Sequence, residues 1–168
     1  IRDTSSAHDR TSVIEVMGRN CGDIALYSAV TGGAECVLLP EKEEDINMIC
    51  RKIIEGSNRG KLHSIIIKAE GTATPGEKLA KIIEEKTGKE TKLIVLSYLQ
   101  RGGSPTMNDR LLATLCGEKA VNLLMEGSQS KAIGISDGHI TAYALEEALN
   151  VKAVFNEELY RLIGVLSK

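Results

Sequence analysis

Hydrophobic positions along this chain fall into short continuous runs separated by longer stretches with helical spacing. The first run, Ser12–Val16, is rich in β-branched residues and reads as a strand. Gly18 and Gly22 follow it, then an Ala/Leu/Tyr-rich helical stretch from Asp23 to Val30 that stops at Thr31-Gly32-Gly33. Cys36–Leu39, just before Pro40, is a second run without polar interruption, as expected for a strand covered on both faces. Ile46, Ile49, Cys50, Ile53 and Ile54 then recur at helical spacing, with Glu43, Glu44, Arg51, Lys52 and Glu55 on the opposite face and Gly56 as the expected stop. Ser64–Ile67 predicts a third strand, followed by a Gly/Thr/Pro turn from Gly71 to Gly76. Leu79, Ala80, Ile82 and Ile83 mark a helix ended by Gly88, and Leu93–Leu96 a fourth strand.

Four apolar runs alternating with amphipathic helices predict an α/β fold, a parallel sheet flanked by helices on both faces. The pattern changes at Gln100-Arg101-Gly102-Gly103-Ser104-Pro105-Thr106. This glycine-rich turn leads into a long helix from about Met107 to Met125, with Gly127 beyond it, and is the best candidate boundary. After it, Ala132–Ile135 reads as one short strand, Leu145–Leu149 as a short helix and Glu157–Leu166 as a terminal amphipathic helix.

Composition narrows the function classes. Lys and Arg number 21 against 23 Asp and Glu, a net charge of -2, so the overall field gives a polyanion no general attraction and nucleic acid is disfavoured. Aromatics are 3% of the 168 residues, too few for the stacking platforms of single-strand binders. No apolar stretch approaches a membrane span and no signal pattern opens the chain, so a cytoplasmic protein is expected. Cys21, Cys36, Cys50 and Cys116 are far apart, without metal-ligand or redox spacing, and are expected to be small core residues. The chain starts at Ile1 and its first methionine is Met17, which suggests a segment of a longer polypeptide.

Three polar clusters follow expected strands, at the edge where open α/β sheets bind ligands. In Met17-Gly18-Arg19-Asn20-Cys21-Gly22-Asp23, glycines permit close backbone approach and the next helix offers amide hydrogens to an anion such as phosphate, although ordinary turn chemistry would use the same glycines. Glu70-Gly71 places a carboxylate suited to sugar hydroxyls after the third strand, where a solvated acid would read the same. Gln100-Arg101-Gly102-Gly103 places a guanidinium beside two glycines, suited to bidentate phosphate contact. His8, His63 and His139 lie near no nucleophile elbow, and no Walker loop is present. These residues by themselves point to an α/β protein that binds a phosphorylated small molecule.

Taken in order, R-D-T-x-x-x-H-x-R at Arg2–Arg10, E-V-M-G-R-x-x-G-D-I-A-L at Glu15–Leu26, G-G-A-E at Gly32–Glu35, A-E-G at Ala69–Gly71 and Q-R-G-G-S-P-T at Gln100–Thr106 strongly resemble bacterial 6-phosphofructokinase. The resemblance spans essentially the whole chain and corresponds to the carboxyl-terminal part of the family's polypeptide. It implies a phosphofructokinase-like three-layer sandwich. It also implies that the family's glycine-rich ATP loop and its catalytic aspartate lie outside these residues, so this segment alone is expected to be inactive. Residues 1–98 with 149–168 would form a smaller, sugar-phosphate-binding domain, and 99–148 a piece of the larger, nucleotide-binding domain.

The resemblance assigns Arg10, Met17, Gly18, Arg19, Glu70, Lys92, Tyr98 and Arg101 to fructose 6-phosphate, some of them reaching a neighbouring subunit's site in a homotetramer. Arg2, Gly33, Ala34, Glu35, Arg59, Lys61, Leu62 and His63 would form an effector site for ADP or phosphoenolpyruvate, with Glu35 binding an effector-borne Mg²⁺. The implied reaction transfers the γ-phosphate of ATP, with Mg²⁺, to fructose 6-phosphate. Three positions depart from the family pattern: Lys92 replaces a usual arginine, Tyr98 a usual histidine and Leu62 a common lysine, which weakens the expected phosphate contacts. A pyrophosphate-dependent enzyme and a non-catalytic, phosphosugar-sensing regulatory subunit are the alternative readings.

Overall fold

In the computed structural model the chain is described over residues 1–128, 130–151 and 154–167, apart from the side chain of Ser6. Lys152, Ala153 and Lys168, within the expected 149–168 portion, therefore lie outside the described residues. The chain divides into two units, Ile1–Arg101 with Phe155–Lys168, and Gly102–Val154.

The first unit is built on a four-stranded parallel sheet. Its strands are β1 (Thr11–Val16), β2 (Cys36–Leu38), β3 (Ser64–Ala69) and β4 (Thr91–Val95), in the spatial order β2-β3-β1-β4. Alternate residues of the central strands face opposite layers, which is why both faces need apolar side chains. Ile14, Val16, Ile65 and Ile67 pack on one face with Leu26 and Ala29 of α2 (Asp23–Gly32) and Ile163 of α7 (Glu157–Leu166). Val13 and Ile66 pack on the other face with Ile49 and Ile53 of α3 (Ile46–Asn58) and Leu79 and Ile83 of α4 (Gly76–Thr87). The expected three-layer arrangement is the observed one. Helix α7 is further pinned by Lys42, whose ammonium is 2.5 Å from Glu157 and 4.7 Å from the centroid of the Phe155 ring.

Several local details differ from the sequence reading. A short helix, α1 (Arg2–Ser6), precedes β1, and a 3₁₀ turn over Ser97–Gln100 follows β4. Gly56 does not stop α3; it is buried inside the helix, and the chain leaves at Arg59 and Gly60, the latter with φ +86°. Gly33 and Gly88 do end α2 and α4 in the left-handed conformation, as expected. Not all cysteines are core residues: Cys36 and Cys50 are buried, but Cys21 lies exposed in the loop after β1.

The second unit contains α5 (Met107–Met125), β5 (Lys131–Ser136), β6 (His139–Ala144) and α6 (Leu145–Asn150). Thr106 and Asp109 cap α5 reciprocally, each side chain taking the other's backbone amide. Where the sequence pattern gives one strand, the structure has an antiparallel hairpin, β5 paired with β6. Its turn is Asp137-Gly138, both at positive φ (+50° and +79°), the chemistry of a two-residue hairpin loop. No described helix is long and apolar enough to cross a membrane.

Burial raises the Cys36 thiol to about 11, with Lys52 opposing the shift, and raises Cys50 as well. Because the thiolate is the reactive form, a maleimide at pH 7.5 is expected to label Cys21 in the native chain and leave Cys36 and Cys50 unmodified. Peptide mass mapping after quenching checks this.

Candidate functional site

Parallel pairing brings the ends of β1 and β3 level, Val16 opposite Ala69, and the amide of Glu70 continues the ladder onto the Val16 carbonyl at 2.8 Å. The Glu70 side chain then reaches across to the loop that leaves β1. Its Oε1 accepts the amide hydrogens of Gly18 (3.1 Å) and Arg19 (3.0 Å). The amides of Arg19 and Gly18 hold the Glu70 carboxyl below its ordinary value, with the Arg19 and Arg101 charges adding to the effect. On the side of β1 away from β3, the Gln100 amide oxygen accepts the Met17 amide at 2.9 Å. Arg101 lies against Tyr98, its guanidinium carbon 4.9 Å from the ring centroid.

This loop depends on glycine at two places. A Cβ on Gly71 would stand 1.6 Å from the Arg19 carbonyl oxygen, so only glycine lets the two loops pass. Gly18 has φ +152°, and a Cβ there would lie 2.3 Å from the Cys21 carbonyl oxygen. Arg19 itself is left-handed at φ +48°, a costly conformation for an arginine that the Glu70 contacts hold in place. The amide of Gly22, at the start of α2, already donates to Glu41 Oε1 at 2.7 Å, so that position holds one of the chain's own carboxylates.

Met17, Gly18, Arg19, Glu70, Tyr98 and Arg101 thus gather at the carboxyl edge of the sheet. Arg10 and Lys92 do not join them. Arg10 precedes β1 and Lys92 is the second residue of β4, so both sit at the amino edge, where each pairs with Glu90 at 3.4 and 2.9 Å. Six residues of β1 at about 3.3 Å each separate the two edges by roughly 20 Å.

The expected effector residues also divide. Glu35, Arg59 and Lys61 line a recess of about 380 Å³ together with Lys52, Glu55 and Gly164. Lys52 and Glu55 are absent from the sequence-derived set because they lie on the polar face of α3, indistinguishable there from solvated charges. Arg2 instead ties α1 to the end of α2 by donating to the carbonyls of Gly32 and Gly33, the latter at 3.0 Å. Ala34 is buried, while Leu62 is exposed and, with His63, lines a narrow crevice beside Arg10.

Glu35 is 5% exposed, and both carboxylate oxygens are engaged, Oε1 by Lys61 at 2.6 Å and Oε2 by the Ile65 amide. Among the described residues no three acidic, histidine or cysteine side chains come together as metal ligands. Glu35 in this arrangement does not fit the expected Mg²⁺ ligand, because the lysine already neutralises it.

Gly71→Ala is expected to lower unfolding free energy by roughly 1 to 3 kcal/mol through this clash, measured by chemical denaturation. The Glu70 carboxyl should titrate below the ordinary glutamate range by carbon-detected NMR. Since folding depresses its pKa, its contribution to stability is present above the unfolded value and is lost as pH falls through the folded one.

Comparison with known proteins places the chain in a family. The sequence model of the family described as Phosphofructokinase matches residues 1–124. The chain is 53% identical over all 168 residues to the ATP-dependent 6-phosphofructokinase of Clostridium acetobutylicum and 50% identical to that of Clostridium botulinum, covering 52% of each. It therefore spans about half the length of the curated relatives it matches. Among solved structures, 88% of the chain superposes on 21% of a phosphofructokinase chain from Saccharomyces cerevisiae, with a TM-score of 0.82 and 32% identity. A pyrophosphate-dependent phosphofructokinase from Marinobacter aquaeolei shares the fold at a TM-score of 0.74 and 22% identity, over 88% of this chain and 44% of its own. With a loop-binding glutamate and a glycine-flanked arginine at one sheet edge, and a family match over most of its length, the chain belongs to the phosphofructokinase family.

Proposed function

We propose that this chain is the sugar-phosphate-binding part of an ATP-dependent 6-phosphofructokinase, an enzyme that transfers the ATP γ-phosphate to fructose 6-phosphate with Mg²⁺. The observation that carries the reading is the Glu70 carboxylate, fixed by the amides of Gly18 and Arg19 in the same edge cluster as Arg101. A carboxylate whose position is set by backbone amides can accept sugar hydroxyls without first having to be ordered. Arg19 and Arg101 are then suited to phosphate, with the Met17–Arg19 backbone along the sugar. Relatives identical to this chain at about half of the aligned positions are named ATP-dependent, which favours ATP over pyrophosphate as donor.

Arg10 and Lys92 fit the same reading only if they serve a second copy. A sugar phosphate is far shorter than the strand that separates them from Glu70, so their phosphate contact would be made in a neighbouring subunit's site. A homotetramer with shared sites accommodates both edges. The recess of Arg59, Lys61, Lys52 and Glu35 is suited to an anionic effector such as ADP or phosphoenolpyruvate, with the lysines as phosphate partners and Glu35 as their counter-charge. The long helix α5 leaves Leu111, Leu115, Val121 and Leu124 exposed, as expected if the remaining length of the relatives packs over it. Nucleotide, metal and catalytic base would belong to that remaining length, and residues 1–168 alone would not turn over.

In a calorimetric titration with fructose 6-phosphate, Arg101→Ala is expected to weaken binding by roughly 2 kcal/mol or more. Unchanged affinity would remove Arg101 from the site. In the complete parent polypeptide, steady-state turnover of fructose 6-phosphate is expected with ATP and absent with pyrophosphate.

A further inference from the structure

The amino edge of the sheet holds a carboxylate that the phosphate reading leaves unexplained. Glu90 lies just before β4, and its backbone carbonyl accepts the Thr11 amide at 2.9 Å, which fixes where the side chain begins. The carboxylate then divides between two cations. Oε1 is 2.9 Å from Lys92 Nζ, and Oε2 is 3.4 Å from Arg10 Nη2. The second contact is too long for a good hydrogen bond. Arg10 Nε, moreover, is buried and has no hydrogen-bond partner among the described residues. The guanidinium is therefore held by charge alone, with donor capacity unspent.

Among the ion pairs of the described residues, Glu90 is the anion that serves both cations. Asp9 is taken by Lys89, at 2.8 and 3.0 Å. The Lys92 hydrogen bond, with Arg10 and His8 nearby, holds the Glu90 carboxyl below its ordinary value, so it is an anion at neutral pH. All of these pairs are partly solvated, and pairs of this kind are readily exchanged.

We propose that Glu90 is a resident counter-anion, holding Arg10 and Lys92 together in the absence of ligand and displaced when a phosphate group binds between them. A phosphate monoester brings more charge than one carboxylate and three acceptor oxygens, enough to engage both Lys92 and Arg10 Nη2 in place of Glu90, with the neighbouring Nε–H reporting the change. The exchange sets a threshold, because phosphate must replace an existing pair instead of meeting two open cations. The inference rests on the reading that Arg10 and Lys92 contact phosphate, and assigns Glu90 the regulation of that contact.

The test titrates the 168-residue chain and its Glu90→Gln variant with inorganic phosphate at low ionic strength, following the Arg10 Nε–H resonance by NMR so that only this edge is read. Glutamine keeps the backbone bond to Thr11 and nearly the same volume. The variant is expected to bind phosphate roughly tenfold more tightly at this edge, with most of that gain lost when Lys92→Gln is added. A change of less than about twofold overturns the proposal. Fructose 6-phosphate titrated into the same samples separates the two readings. If phosphate tightens in Glu90→Gln while the sugar phosphate binds neither protein, the Glu90 exchange stands and the sugar-phosphate assignment fails. If the sugar phosphate binds the unmodified chain and Glu90→Gln alters neither ligand, the assignment stands and the exchange fails.

Discussion

The register of β1 against β3 is the constraint on which the carboxyl-edge cluster depends. Because Val16 and Ala69 are level, Glu70 emerges one residue beyond the ladder, and its carboxylate meets the amides of Gly18 and Arg19. A slip by one residue would also turn Ile65, Ile66 and Ile67 to the wrong layers, so the two hydrophobic cores and the site are specified by the same pairing. The pair of buried Lys68 and half-buried Glu15 reinforces it. These residues are opposite each other in the register, Nζ to Oε2 at 3.0 Å, and Lys68 is 1% exposed. Replacing Glu15 would leave the Lys68 charge with little access to water, which disfavours any other alignment.

Charge in the first unit is organised in local pairs, and this shapes what its sites can do. Glu35 answers Lys61, Glu90 answers Lys92 and Arg10, and Asp9 answers Lys89. With a net charge of only -2 over the chain, attraction for an anionic ligand comes from rearranging such pairs locally. Glu70 differs from these because its main partners are backbone amides, which do not move away when a ligand arrives. The carboxyl edge thus holds a carboxylate fixed by backbone amides, and the amino edge holds exchangeable ion pairs.

Glycine positions separate what could be read in sequence from what could not. Gly33 and Gly88 end helices where expected, since a glycine after an amphipathic stretch is a local signal. Gly56 looks the same in sequence but is a buried position inside α3, close to the Lys61 side chain, and its role is set by packing. The Asp137-Gly138 turn and the alternating strand after it carry a hairpin signal that the reading of a single strand passed over, and the structure pairs β5 with β6. Cys21 could be assigned to the core by residue type only; the loop geometry that exposes it depends on contacts with residues 52 positions or so along the chain.

By itself the sequence determined the alternation of strands and helices, the parallel α/β class and the motifs of the phosphofructokinase family, because periodicity, helix stops and motif order are all local properties. It also named Glu70, Arg101 and the Met17–Arg19 loop. Only the tertiary structure decided that Arg10 and Lys92 lie at the opposite edge, that Glu35 is buried against Lys61, and that Glu90 sits between two cations. Those outcomes depend on strand direction and on pairings between residues 26 to 80 positions apart, and no short-range pattern encodes distances across a sheet.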